Sequence, residues 1–273
     1  MKNIIKLAVK TFLIIFLAIL LFVSSLLILG NIYKDEIKNF VIRDINKKIN
    51  VKIQVNSVDI SMFRKFPYVS VILKDATAWS GHDFDKLQFS DIDTDTLFTA
   101  STIYLQFNLI DILRKNYRLR RVHAVNGKIN LLADRYGLVN HRLFRQEIKS
   151  GEKTVPIALD MLKISKFKWN FINLSKDIKA AGYLKDISLK GRFANADFSL
   201  ASVGSIIIDD FSREDIQFAD NLNVELKVNM EVHDSLYKIN KGELRLNNMD
   251  FILGGSISSR KKTKLALEIG ATG

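Results

Sequence analysis

The sequence predicts a mainly β protein: a curved antiparallel β-sheet preceded by a transmembrane helix and an amphipathic helix. Three observations predict it. An uncharged apolar run lies near the N-terminus, apolar residues at helical steps follow it, and from residue 51 apolar and polar residues alternate. The expected organisation is a cytoplasmic tip and membrane anchor over residues 1–30, an amphipathic helix over 31–50 and a β-groove domain over 51–273.

Residues 11–29 form the apolar run, TFLIIFLAILLFVSSLLIL. At about 1.5 Å per residue it spans roughly 28 Å, close to the thickness of the bilayer hydrocarbon core. Two other interpretations of the run are a cleaved signal peptide and a buried core helix. A cleaved signal peptide has a shorter apolar region and a small-x-small site. Lys2, Lys6 and Lys10 precede the run without an acidic residue, which predicts a cytoplasmic N-terminus. We expect a single-pass anchor with the chain after Gly30 on the far side of the membrane, which in a Gram-negative bacterium is the periplasm.

The segment after the anchor has helical periodicity. Ile32, Ile37, Val41, Ile45 and Ile49 recur at four- and five-residue steps, near one face of a helix. We predict an amphipathic helix that packs on the following domain or lies in a membrane surface.

Alternating residues define the strands of the β domain. The alternation that begins at Val51 changes phase at Ser57, which predicts a β-bulge or a short break. Another strand follows Pro67, and residues 222–232 alternate without interruption. We expect Ser70, Gln106 and Lys227 on the outer face. The apolar positions predicted to line the inner face are Val69, Val71, Leu73, Ile103, Leu105, Phe107, Leu222, Val224, Leu226, Val228, Leu244 and Leu246.

Other segments complete an antiparallel meander. Residues 109–115 predict a short helical turn, and Asn126-Gly127 predicts a β-hairpin with a type I′ turn. Phe167, Trp169 and Phe171 indicate an aromatic strand, and further strands are expected near the C-terminus.

The apolar face of this sheet needs a cover. Only residues 31–49, 109–115 and 138–149 offer helical segments for it, which favours a sandwich or a curled sheet. The alternation leaves open whether the interior is packed with side chains or forms an open groove.

Charge and composition narrow the function. The net charge of +12 favours anionic partners, and the apolar run favours lipid headgroups over nucleic acid. The chain has no cysteine, and its histidines lie too far apart for a recognisable metal-ligand motif. Asp91, Asp93 and Asp95 are spaced like the start of a calcium loop, but the glycine and glutamate of that loop are missing. We therefore predict no metal, cofactor or catalytic site, and a role other than that of an enzyme.

The order of these features resembles the AsmA family, in particular its Bacteroidota members. The resemblance rests on a basic N-terminus, one transmembrane helix, an amphipathic helix and three segments of the β domain. The chain departs from the family pattern at Asn126-Gly127 and at Asn140-His141, where an Asn-Trp pair is usual. The three segments are MFRKFPYVSVILKDATA (62–78), NLIDILRKNYRLRRVHAVNGKINLLADRYGLVNH (108–141) and ELRLNNMDFILGGSIS (243–258).

The resemblance implies an inner-membrane-anchored periplasmic protein that takes part in phospholipid transport and outer-membrane assembly. Its partners would be phospholipids, the membrane and other envelope proteins, and the chain would be shortened at its C-terminus relative to the family. Acyl chains would lie on the predicted apolar positions. Phe63, Arg64, Lys65 and Phe66 would meet headgroups at the membrane surface, unless they form an ordinary surface turn with two core aromatics. The alternative function is a scaffolding factor for envelope biogenesis whose packed β core holds no lipid.

Overall fold

The computed structural model describes most of the predicted β domain. The predicted transmembrane helix, the amphipathic helix over 31–50 and Phe66 lie outside the described residues. Within the described part, no helix is long and apolar enough to cross a membrane. The described residues are 53–65, 68–81, 84–114, 118–141, 159–191, 197–233, 236–258 and 264–272.

The domain is built almost entirely of long β-strands, as the alternation predicts. The short α-helix α1 (Leu109–Leu113) confirms the predicted helical turn after the third strand, and a 3-10 turn covers Lys86–Gln88. The strands are β1 (Ile53–Lys65), β2 (Tyr68–Trp79), β3 (Thr96–Asn108), β4 (Leu119–Ala133), β5 (Met161–Asn173), β6 (Ile178–Gly191), β7 (Asp197–Arg213), β8 (Ile216–His233), β9 (Leu236–Leu246), β10 (Met249–Ser258) and β11 (Lys264–Thr272).

The 11 strands of the described residues form one open sheet, in which they lie side by side in chain order. Neighbouring strands are antiparallel, with one exception. Strands β4 and β5 are parallel, with Ala124 opposite Ile164, so the prediction of a purely antiparallel meander is wrong at this pair. A parallel pair needs a connection that carries the chain back along the sheet. Here that connection runs from Ala133 to Met161, and residues 142–158 of it lie outside the described residues.

The apolar alternation changes phase along a line that crosses β1 to β6. On β1 the change falls at Asn56 and Ser57, as predicted, but the register with β2 stays constant there. Both strands therefore change phase together, and no extra residue bulges from one of them. We call this line the phase-shift row. Its members, one per strand, are Asn56, Asp75, Ser101, Asn126, Lys166 and Lys185.

A left-handed backbone conformation lies at the phase change on three of these strands, β2, β4 and β5. Asp75, Asn126 and Lys166 have φ values of 50°, 55° and 61°, a region in which residues other than glycine are uncommon. Polar side chains link neighbours along the row: the Asn126 amide donates to Ser101 Oγ at 3.0 Å, and Asn56 donates to Asp75 at 3.4 Å.

Asn126-Gly127 lies inside β4, so the predicted hairpin is wrong. Asparagine tolerates a left-handed conformation, and here that conformation changes the strand's phase without reversing the chain. Gly127 is required by space, because a Cβ there would overlap the Thr99 carbonyl oxygen and lie 2.7 Å from the Phe167 ring.

The main core cluster lies beside the phase-shift row on the middle strands. Phe167 is fully buried, and its ring stacks on Phe98 with centroids 5.4 Å apart. Ala100, Ala124 and Leu184 complete the buried cluster. The small side chains on β3 and β4 leave the room that the Phe167 ring fills.

Candidate functional site

The predicted inner-face residues lie side by side on one face of the sheet. Val71 is opposite Leu105 and Leu73 is opposite Ile103 on β2 and β3, while Leu226 is opposite Leu244 on β8 and β9. The remaining predicted positions extend the same face: Val69 pairs with Phe107, Val224 with Leu246, Ser202 with Val228, and Ile208 with Leu222.

Cross-strand pairing connects these positions into rows that cross all strands. We call the face formed by these rows the apolar face. One row is Ile60, Val71, Leu105, Val122, Leu162, Leu189, Ser202, Val228, Gly242, Leu253 and Ile269. The next is Val58, Leu73, Ile103, Ala124, Ile164, Ile187, Gly204, Leu226, Leu244, Phe251 and Ala271.

Burial divides the apolar face into two parts. On β2 and β3 it is closed: Val69, Val71 and Leu105 are 1%, 0% and 5% exposed, and Leu73 and Phe107 are also buried. On β8 and β9 most of it is only partly covered. Val228 is buried there, whereas Leu222, Val224, Leu226, Leu244 and Leu246 are half-buried. At the β11 edge Ile269 is 61% exposed.

The close backbone contacts between the described elements follow the order of the sheet. The extensive contacts join strands that are neighbours in the sheet, and α1 contacts β3. On the apolar face, most residues on β8 to β11 are more exposed than those on β2 and β3.

Small residues shape the apolar face at two places. A Cβ at Gly204 would lie 2.8 Å from Cγ1 of Ile187, and a Cβ at Gly242 would lie 2.8 Å from Cβ of Leu253. The side chains of Ile187 and Leu253 therefore occupy the space next to the neighbouring glycines. A larger residue at either glycine would overpack the face.

The outer face is covered at one end of β2 and β3. Ser70 and Gln106 lie on the face opposite Val71, as expected, and they are only 7% and 6% exposed. Gln106 Nε2 donates to Ser70 Oγ at 3.3 Å, which satisfies buried polar atoms of both residues. Alternation assigns a residue to a face and does not report whether a second layer covers that face. Lys227 is exposed, as predicted.

A buried polar loop follows β4, and sequence reasoning did not identify it. Asn140 is fully buried. Its Oδ1 accepts from the Leu132 amide at 2.9 Å, and its Nδ2 donates to the Asn130 carbonyl at 2.9 Å and to Ser80 Oγ at 3.2 Å. Asn140, the first residue of the Asn-His pair that departs from the AsmA pattern, thus connects the loop to β4 and to the end of β2 by hydrogen bonds. Burial also lowers the pKa of the His141 imidazole.

Asp134 has the same kind of role. It is fully buried, and its carboxylate accepts backbone N–H groups of Tyr136, Leu138 and Asp85 at 2.8–3.0 Å. Gly137 supplies the left-handed turn between them, with φ of 79°. Both carboxylate oxygens therefore hold the loop in place, and the only sequence signal for it is the ADRYGLVNH segment of the resemblance.

The acidic loop before β3 also has a structural role. Asp93 accepts the backbone N–H groups of Asp95 and Thr96 at 3.1 Å, and Asp95 pairs with Lys86 at 2.6 Å. Within the part of the chain that the structure describes, no group of three or more histidine, aspartate or glutamate residues is arranged to hold a metal ion.

The predicted headgroup-contacting segment is described only in part. Phe63, Arg64 and Lys65 form the end of β1, where Lys65 is opposite Tyr68 of β2. Phe66 lies outside the described residues. Contact between this segment and a membrane stays a prediction.

The fold and the face define a class: a single open β-sheet with a continuous apolar face. Comparison of the chain with models of known protein families gave no match, and comparison with curated proteins gave none. The likeness to the AsmA family therefore rests on the sequence features given above.

Proposed function

We propose that this chain is a membrane-anchored protein of the bacterial envelope, of AsmA type. In this proposal it holds phospholipid acyl chains on its apolar face and takes part in phospholipid transport and outer-membrane assembly. The observation that carries the proposal is the continuous apolar face, which is only partly covered on β8 to β11.

The chemistry of this region suits an acyl chain. The residues that line it are branched, aliphatic and only half-buried: Leu222, Val224, Leu226 and Leu244. Each CH₂ group of an acyl chain that is buried against them contributes about 0.8 kcal/mol. The strands β8 to β10 pair with a neighbour on both sides, so an acyl chain over them leaves their backbone polar groups paired within the sheet. Adjacent strands are about 4.8 Å apart, so the face from β8 to β11 is about 14 Å wide.

The experiment is photo-crosslinking in cells with the full-length chain. A photo-reactive amino acid replaces Val224, Leu226 or Leu244, which are half-buried on the apolar face. The matched controls are Asn223, Glu225 and Lys227, which lie on β8 between the inner positions and are exposed on the outer face. Val71 and Leu105 are unsuitable because a large probe at a fully buried site disrupts packing.

The proposal predicts phospholipid adducts from the three inner positions and none above background from the outer ones. Adducts in equal yield from both faces, or only protein adducts from stable inner-face variants, would contradict it.

The second candidate is a scaffolding factor whose β core holds no lipid. The closed part of the apolar face favours it, because Phe167 and Val71 are fully buried in a packed interior. If probes at Val224, Leu226 and Leu244 capture only protein, this second function takes the place of the first.

A further inference from the structure

Four lysines form a compact group on the outer face of β4 to β6. Lys168 alternates with the inward-facing residues Phe167 and Trp169, and it lies directly opposite Lys128 in the parallel β4–β5 pair. Lys166 and Lys185 are members of the phase-shift row on β5 and β6, where they occupy opposing positions. We call these residues the lysine patch; Lys166, Lys168 and Lys185 are exposed and Lys128 is half-buried.

Among the described residues, no carboxylate neutralises the lysine patch. None of its four lysines forms an ion pair within the described residues, and the nearby carboxylate of Asp186 is paired with Lys163 at 2.8 Å. Like charges directly opposite each other destabilise a sheet. At Lys166 the sheet also holds a lysine in a left-handed backbone conformation, with φ of 61°.

The outer face of β8 to β10 shows the contrast within the same sheet. There Lys227 and Lys241 pair with Glu243 at 3.4 and 3.3 Å, and Arg245 pairs with Asp250 at 2.6 Å. Ion pairs therefore neutralise positive charges on the outer face of β8 to β10. The lysines of the patch, in contrast, form no ion pair within the described residues. A partner that supplies negative charge would relieve that repulsion.

We propose that the lysine patch docks against an anionic membrane surface, where its ammonium groups contact lipid phosphates. Lysine is a compact point charge suited to an array of phosphate groups, whereas bidentate recognition of one anion favours arginine. The apolar run over residues 11–29, if it anchors the chain as proposed, keeps the sheet within reach of a bilayer. The inference rests on that proposed anchoring, but it concerns the face opposite the one proposed to hold acyl chains.

The test uses the full-length chain reconstituted in vesicles through its own apolar segment. The chain has no cysteine, so Ser101→Cys gives one labelling site, exposed on β3 in the phase-shift row beside Asn126. A fluorophore at that site is quenched by a nitroxide carried on lipid headgroups. Vesicles of phosphatidylcholine alone are compared with vesicles that also contain phosphatidylglycerol.

The patch variant carries Lys166→Gln, Lys168→Gln and Lys185→Gln. The control variant carries Lys176→Gln, Lys238→Gln and Lys241→Gln, which remove the same charge from positions that are equally exposed and outside the patch. A third variant replaces the three patch lysines by arginine and retains the charge. Thermal unfolding of each variant confirms that it is folded.

The expected result is quenching that requires phosphatidylglycerol and weakens with salt. Each lysine strengthens docking at an anionic surface about fivefold, so the patch variant should lower the docked-to-free ratio roughly 100-fold. The control variant should change the ratio only slightly, the arginine variant should retain docking, and inorganic phosphate at constant ionic strength should not displace the protein.

Three results would overturn the proposal. Quenching that is equal on both kinds of vesicle, or unchanged in the patch variant, would remove the membrane as the partner. Displacement by inorganic phosphate alone would assign a free-anion site. Loss of docking in the arginine variant as well would show that charge is not its cause. None of these results bears on lipid capture at Leu226, so the two proposals fail separately.

Discussion

Strands β2 to β6 and strands β8 to β10 continue the same apolar rows, yet they differ on both faces. In the first region Val71 and Phe167 are fully buried, while on the outer face the lysine patch forms no ion pair with a described carboxylate. In the second region Leu226 and Leu244 are half-buried and the outer charges are paired. The comparison teaches that one alternation pattern serves two purposes: a closed core in the first region and an accessible apolar surface in the second.

The largest expected effect is the difference in lost stability between two phenylalanine substitutions, one in each region. Phe167→Ala empties a fully buried site on β5 and should lower the free energy of unfolding by about 3–5 kcal/mol. Phe251→Ala on β10 removes a half-buried ring and should cost about 1–2 kcal/mol. Denaturant unfolding of both variants measures the difference, and equal costs would contradict the division of the face.

The second expected effect is the difference in lost stability between substitutions of two asparagines whose side chains form hydrogen bonds with backbone groups. Asn140→Ala leaves the buried Leu132 N–H and Asn130 carbonyl without their partner, and it should cost about 2–3 kcal/mol. Asn247 accepts from the Asn223 N–H at 2.9 Å in the exposed β9–β10 turn. Asn247→Gly keeps its left-handed conformation (φ of 51°) and should cost under about 1 kcal/mol. If Asn140→Ala leaves thermal unfolding unchanged, the hydrogen bonds of the buried loop do not stabilise the first region.

The third effect separates the two faces of β8. Leu226→Asp places a carboxylate on the half-buried apolar face and should cost about 1–3 kcal/mol while abolishing retention of acyl chains. Lys227→Asp alters only the exposed face and should leave lipid retention unchanged. Lipid extraction after purification and denaturant unfolding check both effects. Equal tolerance of the two changes in both measurements would show that the face assignment is wrong.

The smallest effect concerns the paired charges of the second region. A hydrogen bond from Lys241, followed by a hydrogen bond and the charge of Lys227, lowers the pKa of the Glu243 carboxyl from its ordinary value of 4.5. A carboxyl with a depressed folded-state pKa stabilises the fold above its unfolded pKa, and that contribution is lost as the pH falls through the folded value. Wild-type stability should therefore fall slightly more than that of Glu243→Gln as the pH drops below 4.5. Indistinguishable pH profiles would show that this ion pair does not stabilise the second region.

The sequence predicts the second region better than the first. The alternation from Leu222 to Val232 is complete, because that strand has one apolar face and one solvated face, and β8 has this pattern. The predicted inner-face positions of β2 and β3 lie opposite one another in the sheet. On β6 and β7 the pattern is interrupted by Lys185 in the phase-shift row and by the small residues Gly182 and Gly204, so sequence reasoning did not identify these strands.

Three features of the first region depend on interactions that alternation does not encode. Asn126-Gly127 favours a hairpin locally, but pairing with β3 and β5 on either side keeps it within one long strand. The parallel β4–β5 pair depends on the path of the connecting chain. The burial of Ser70 and Gln106 depends on what packs against the outer face, which a single strand's pattern does not specify.

The most direct test of the central claim is mass spectrometry of lipids that remain bound to the full-length protein after mild detergent extraction. The wild type is compared with Leu226→Gln/Leu244→Gln on the apolar face and with Lys227→Gln/Glu243→Gln on the outer face of the same two strands. The proposed function predicts phospholipid bound to the wild type and to the outer-face variant, and its loss from the inner-face variant while that variant stays folded. Absence of lipid from the wild type, or equal amounts in all three folded proteins, would contradict it.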